Sequence, residues 1–195
     1  MERTAYSHLV DGLELPLPLA GHPALELCNT RAGWGEPEPK EYLGSPAHLL
    51  ALARDLGLVS REDAERLRGA DDPAVLRRAL AFREALYAAC LDPRPGSAWD
   101  AVAAEAERAA AAATLRPGGW SLPRTAELPL LAFARAAADL LTTPHAPIRR
   151  CPGDGCGWLF LDARGRRRWC TMVTCGNRAK ARRHAARRRA APSHR

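Results

Sequence analysis

Cys151-Pro-Gly-Asp-Gly-Cys156 and Trp169-Cys170-Thr-Met-Val-Thr-Cys175-Gly176-Asn177-Arg178 decide how this chain is read. The four cysteines follow the spacing C-x4-C-x13-C-x4-C. Two thiolate pairs on short loops, separated by a hairpin-sized insert, can close a tetrahedral shell around one zinc ion. All four ligand positions are then thiolates and none stays open for a catalytic water. The expected metal is therefore one structural Zn2+ per chain, on Cys151, Cys156, Cys170 and Cys175. The competing arrangement, two disulfides, needs an oxidising compartment. The first residues, Met1 to His8, show no basic segment leading into an apolar stretch, so no secretory signal is expected. The most apolar run, 128–141, is interrupted by Arg135 and Asp139, so no membrane span is expected either. These signs point to a cytoplasmic protein whose thiols stay reduced. Cys28 and Cys90, set among leucines, are expected to be ordinary buried thiols.

Outward from the cysteines, charge divides the chain. Residues 149–195 hold 14 Lys+Arg and 2 Asp+Glu, a balance of +12, against 15 and 20 in residues 1–148, a balance of −5. A zinc with four thiolates subtracts two charges, which leaves the C-terminal part at about +10. A basic segment this dense points to a polyanion. Arg178, Lys180, Arg182, Arg183, Arg187, Arg188 and Arg189 are separated almost entirely by alanine. On a helix they form two cationic stripes with no large apolar residue between them, so the helix has little to bury. Arg166, Arg167 and Arg168 precede the third cysteine; one of them is expected to serve the metal site and the others nucleic acid.

Within this part, Trp158–Leu161 reads as a strand, Asp162–Gly165 as a turn, and Arg167–Cys170 as the returning strand. Asn177 is placed to cap a helix from Arg178 to about Ala191. A zinc-held hairpin leading into a basic helix is a treble-clef-like arrangement. The preceding residues read as mainly α. Residues 1–24 are turn-rich, and Leu25–Arg31 is a short apolar-polar segment. Ser45-Pro46, Ser60 and Asp72-Pro73 open helices. Trp99–Leu115 is an alanine-rich helix expected to pack weakly or lie on the surface. Trp120–Leu122 could be a short strand, and Leu128–Leu141 is an amphipathic helix. Residues 142–147 form a proline-containing linker from which the zinc module hangs. The expected division is a helical domain, 1–145, and a zinc module, 146–195.

The stretch from Cys151 to Arg183 resembles the CGNR zinc finger, named for the tetrapeptide Cys175-Gly176-Asn177-Arg178. The cysteine frame, Trp158, Trp169 and the tetrapeptide agree together. In that family the finger follows a helical ABATE domain, which Leu25-Glu-Leu-Cys-Asn29-Thr30-Arg31 and the following helices resemble more loosely. Glu26 stands where that family usually has Asp, and Ala163-Arg164-Gly165 replaces its usual Ser-Arg-Asn turn. The resemblance implies a bacterial transcription regulator, associated with the nucleoid, whose finger binds DNA and whose ABATE domain senses a ligand.

The residues themselves leave other partners open. Arginine binds either nucleic-acid backbone, so RNA competes with double-stranded DNA. A solvated basic tail without a partner and a zinc-stapled protein–protein adaptor are further alternatives. Asn29, Arg31 and Arg83 are polar groups beside apolar segments and could line a pocket for a small-molecule effector, although capping and surface pairing would explain them as well. No nucleophile–base pair, phosphate loop or further metal motif is recognisable, so no enzyme is expected. A homodimer is compatible with a DNA reader.

Overall fold

The computed structural model describes residues 6–144 and 146–190. His145 of the linker and the expected helix end at Ala191 lie outside the described residues. About 49% of the chain is helical, and the strands form small two-stranded sheets.

Helix α6, Leu128–Thr142, fills the centre because it is apolar on more than one stripe: ten of its fifteen residues are buried. Such a helix needs neighbours on several sides. They are α1 (Pro23–Cys28), α2 (Pro46–Asp55), α4 (Pro73–Leu91) and α5 (Ser97–Ala112). Half of α5 is exposed and only Val102 and Ala109 are buried, in keeping with its alanine-rich composition. Its small side chains nevertheless let it lie against both α4 and α6. The short α3, Arg61–Arg66, is braced at its start, where Ser60 Oγ accepts from Asp63 N (3.0 Å) and donates to Asp63 Oδ2 (2.9 Å). Asp72 caps α4 by accepting from Ala74 N at 2.8 Å. Ser45 sits at the start of α2, ahead of Pro46, but its hydroxyl pairs with His48 Nδ1 (2.8 Å) and caps no backbone N–H.

Several elements escape the sequence periodicity. Strands β1 (Ser7–Val10) and β2 (Leu13–Pro16) pair antiparallel within the segment read as turns. Their two-residue turn has Asp11 and Gly12 at φ 51° and 81°, the left-handed pair that matches strand twist. The Leu25–Arg31 segment is largely α1, a helix too short to show a period, capped by His22 Nδ1 accepting from Ala24 N. β3 (Arg31–Ala32) pairs with β4 (Lys40–Glu41). The strand expected at Trp120 is β6 (Gly119–Ser121), paired with β5 (Thr114–Arg116).

The zinc module differs from expectation in its pairing. β8, Leu159–Leu161, pairs with β7, Ile148–Arg150, and not with Arg167–Cys170. Cys151 N continues the ladder to Trp158 O at 2.8 Å, so the first cysteine pair forms the tip of this hairpin. The returning segment is held by side chains: the buried Asp162 carboxylate accepts from Arg166 N (2.9 Å) and Arg167 N (3.0 Å). After Cys170 comes a wide turn, Met172–Gly176, closed by Gly176 N to Thr171 O, and then α7, Asn177–Ala190. Nor does the module hang from a linker. Leu159 lies in the main hydrophobic core, with Ile148 and Leu161 packed against it.

Candidate metal centre and nucleic-acid interface

The hairpin tip supplies Cys151 and Cys156; the turn before α7 supplies Cys170 and Cys175. All four thiols are buried, and their sulfurs lie within 4.8 Å of one another. Cys156–Cys170 and Cys170–Cys175 are each separated by 3.6 Å. A disulfide needs ~2.05 Å, whereas sulfurs at the corners of a tetrahedron around zinc stand roughly 3.8 Å apart. The backbone is fitted to the sulfurs. A Cβ on Gly153 would come within 2.7 Å of Cys175 Sγ, and Gly153 N donates to Cys151 Sγ at 3.4 Å. Hydrogen bonds among the crowded thiols, first of all with Cys151, push Cys170 and Cys156 far up. Four thiolates cannot share this space unaided, and a dication removes the conflict. The donor set is closed and all-thiolate, which makes this a site for one structural zinc ion.

Two arginines serve this centre. Arg178 donates to Tyr6 Oη (2.6 Å) and reaches Cys175 Sγ (3.6 Å), leaving the Tyr6 O–H to point at the same sulfur at 3.4 Å. Arg167 donates to the carbonyls of Leu19 (2.6 Å), Trp169 (3.2 Å) and Cys170, with its guanidinium 4.4 Å from the Phe160 ring centre. Arg166 and Arg168 on either side are exposed.

The centre is joined to the helical body by directional bonds. Asn29, fully buried, donates from Nδ2 to Leu159 O (3.0 Å) and accepts from Leu159 N on Oδ1 (2.8 Å). Trp158 Nε1 donates to Arg31 O (3.1 Å), Tyr87 Oη to Gly157 O (2.7 Å), and Leu161 N to Ala20 O (2.8 Å). Gly157 has φ 71° and lies where a Cβ would fall 2.6 Å from Trp34 Cβ, so both conformation and space require glycine. Glu26 in α1 accepts from Ala20 N (2.6 Å) and Gly21 N (3.3 Å), and burial pushes its carboxyl up to about 7.

Residues 148–188 match the CGNR zinc finger, and residues 21–144 match the ABATE family, described as "Putative stress-induced transcription regulator". The chain belongs to the ABATE family. Both matched descriptions name a regulator or a zinc finger and neither names an enzyme. No curated protein matches the chain. No helix among the described residues is long and apolar enough to cross a membrane.

The three residues considered for an effector in this ABATE domain are occupied otherwise. Asn29 clasps Leu159. Arg83, also buried, pairs with Glu41 (2.6 Å) and Glu84 (3.0 Å) and donates to Thr30 Oγ1. Arg31 pairs with Glu84 (3.0 Å) and lies over Trp34. A cavity of about 270 Å³ opens elsewhere, beside α2, α3 and the start of α4, where Leu50, Leu67, Val75 and Pro129 line it. The cations of α7 have a different setting. Lys180, Arg182, Arg183, Arg187 and Arg188 are exposed, and no ion pair among the described residues joins α7 to the body. The ion pair of Arg182 is with Asp154 of the finger itself (2.5 Å).

Proposed function

We propose that this protein is a zinc-dependent, DNA-binding transcription regulator in which the finger, 146–195, contacts double-stranded DNA and the body, 1–145, holds and regulates it. The observation that carries this reading is the exposed cationic helix α7, which starts two residues after the last zinc ligand and covers no core. A helix with seven cations and no apolar face is repelled by itself and relieved by a polyanion. Arg166 and Arg168 extend the basic surface beside Arg149 and Arg150. Phosphates anchor such a surface, and arginine can also reach guanine edges. The effector role implied by the family falls to the cavity beside α2 and α3.

The test replaces Arg182, Arg183, Arg187 and Arg188 by alanine in the full, zinc-loaded chain. Duplex binding should weaken, and the salt slope should fall by about 0.9 for each phosphate that is no longer neutralised. Zinc content should stay at one per chain. Unchanged affinity would show that α7 is not the binding surface, and tighter binding to single-stranded or duplex RNA than to DNA would reassign the partner.

A further inference from the structure

Between the hairpin tip and α7 the finger leaves an open cleft of about 280 Å³. Four guanidinium groups line it: Arg168, Arg178, Arg182 and Arg183. Trp169, Cys175, Ala179 and residues 152–154 complete its lining. The cations are unequally satisfied. Arg178 is engaged by Tyr6 and Cys175, and Arg182 by Asp154. Arg168 lies 5.1 Å from the Trp169 ring centre, and Arg183 has no hydrogen-bond or ion-pair partner among the described residues. Setting Arg178 aside for the thiolates, three cations face one carboxylate. The cleft therefore carries a surplus of two positive charges in a space that fits a small tetrahedral oxyanion.

The single carboxylate is itself informative. The side chains of Arg182 and Asp154 are 60% and 68% exposed, so their ion pair is a weak one that exchanges readily. A phosphate offers the same oxygens with more charge and can be held bidentately by arginine. The loop that carries Asp154 is tied to the metal centre, since Gly153 N donates to Cys151 Sγ at 3.4 Å.

We propose that this cleft seats one phosphate group of the nucleic-acid backbone and that Asp154 is its internal competitor, displaced when the phosphate enters. The proposal rests on the DNA-binding reading above and adds a specific seat to it. The device lowers affinity for phosphate uniformly, whatever the base sequence, and so holds back non-specific binding.

Duplex affinity of the full, zinc-loaded chain is measured across a salt series for the parent, Asp154→Asn and Arg183→Ala, with zinc content checked for each. Asp154→Asn should tighten binding by about two- to fivefold at low salt, the value of an exposed ion pair. Arg183→Ala should weaken it and cancel most of that gain when the two changes are combined. A titration with inorganic pyrophosphate, followed by amide shifts of residues 152–154, provides the second arm. Shifts that grow stronger in Asp154→Asn confirm the seat. If pyrophosphate behaves so while the duplex does not, the seat is for a free anion and the nucleic-acid source is wrong. If Asp154→Asn binds duplex no tighter than the parent and pyrophosphate moves no amide of the loop, the seat is refuted. In that case the α7 quadruple variant still decides the broader reading separately.

Discussion

Asn29 places a side-chain amide where a neighbouring strand would place a peptide group, and both of its polar ends are spent on Leu159. Asn29→Ala should leave a buried N–H and a buried C=O without partners and cost about 2–5 kcal/mol. Chemical denaturation of the zinc-loaded chain measures it, and a loss below 1 kcal/mol, roughly one ordinary hydrogen bond, would show that water replaces the clasp. Glu26 makes a prediction in pH. Its folded pKa of about 7 lies above the usual 4.5, so the folded state keeps a proton that the unfolded state has released. Its contribution is complete below about pH 4.5 and is lost as pH rises towards 7. Glu26→Gln should therefore gain melting temperature relative to the parent between pH 5 and pH 8, with a comparison at both pH values as the check. Neither role was legible from the residue types. Asn29 and Glu26 stand in a run of ordinary polarity, and their partners, Leu159 and Ala20, are fixed only by the tertiary structure. The four cysteines, in contrast, were legible because metal ligation demands a residue type and a spacing at once. Replacing any one of them by Ser should abolish stoichiometric zinc, as metal analysis of the purified chain would show.

At the scale of elements, helices with strong caps and long apolar stripes could be read directly: Ser60, Asp72 and the Leu128–Leu140 pattern mark α3, α4 and α6. Short elements could not. β1, β2 and α1 hold four to six residues each, less than two periods of helix or three of strand. The finger shows a different limit. Residues 167–170 look like a strand, yet Ile148–Arg150 takes the place beside β8, because that pairing puts Cys151 and Cys156 at one turn and sends Leu159 into the core. Arg167 then becomes a brace across three carbonyls. α7 carries its own expectation. Seven cations within twelve residues favour fraying, so its amides should exchange quickly in the free protein and slow on adding duplex DNA. Hydrogen exchange resolved over residues 180–189 reads this out, and equal rates with and without DNA would place the binding surface elsewhere.

For the whole molecule, the finger and the helical body share an apolar seam through Leu159, Ile148 and Leu161. Loss of zinc should consequently lower the melting temperature of the entire chain in one transition, since metal binding free energy is folding free energy for everything coupled to the site. Calorimetry with and without chelator tests this; a finger that melts alone, with the body unchanged, would mean that the shared seam carries little. By the same reasoning residues 146–195 in isolation should bind duplex more weakly than the full chain, because Trp158, Leu159 and Phe160 lose their cover. The Tyr6 hydroxyl beside Cys175 and the Asn29 clasp on Leu159 join positions 169 and 130 residues apart. A ribosome releases the chain from its N-terminus at about 5–20 residues per second. Tyr6 and Asn29 therefore emerge many seconds before the partners that they hold. The slot beside α1 stays empty until Leu159 has been made and released. A chain that stops short of Leu159 lacks the strand that fills this slot, and the apolar side chains that Leu159 and Leu161 cover are then left to water.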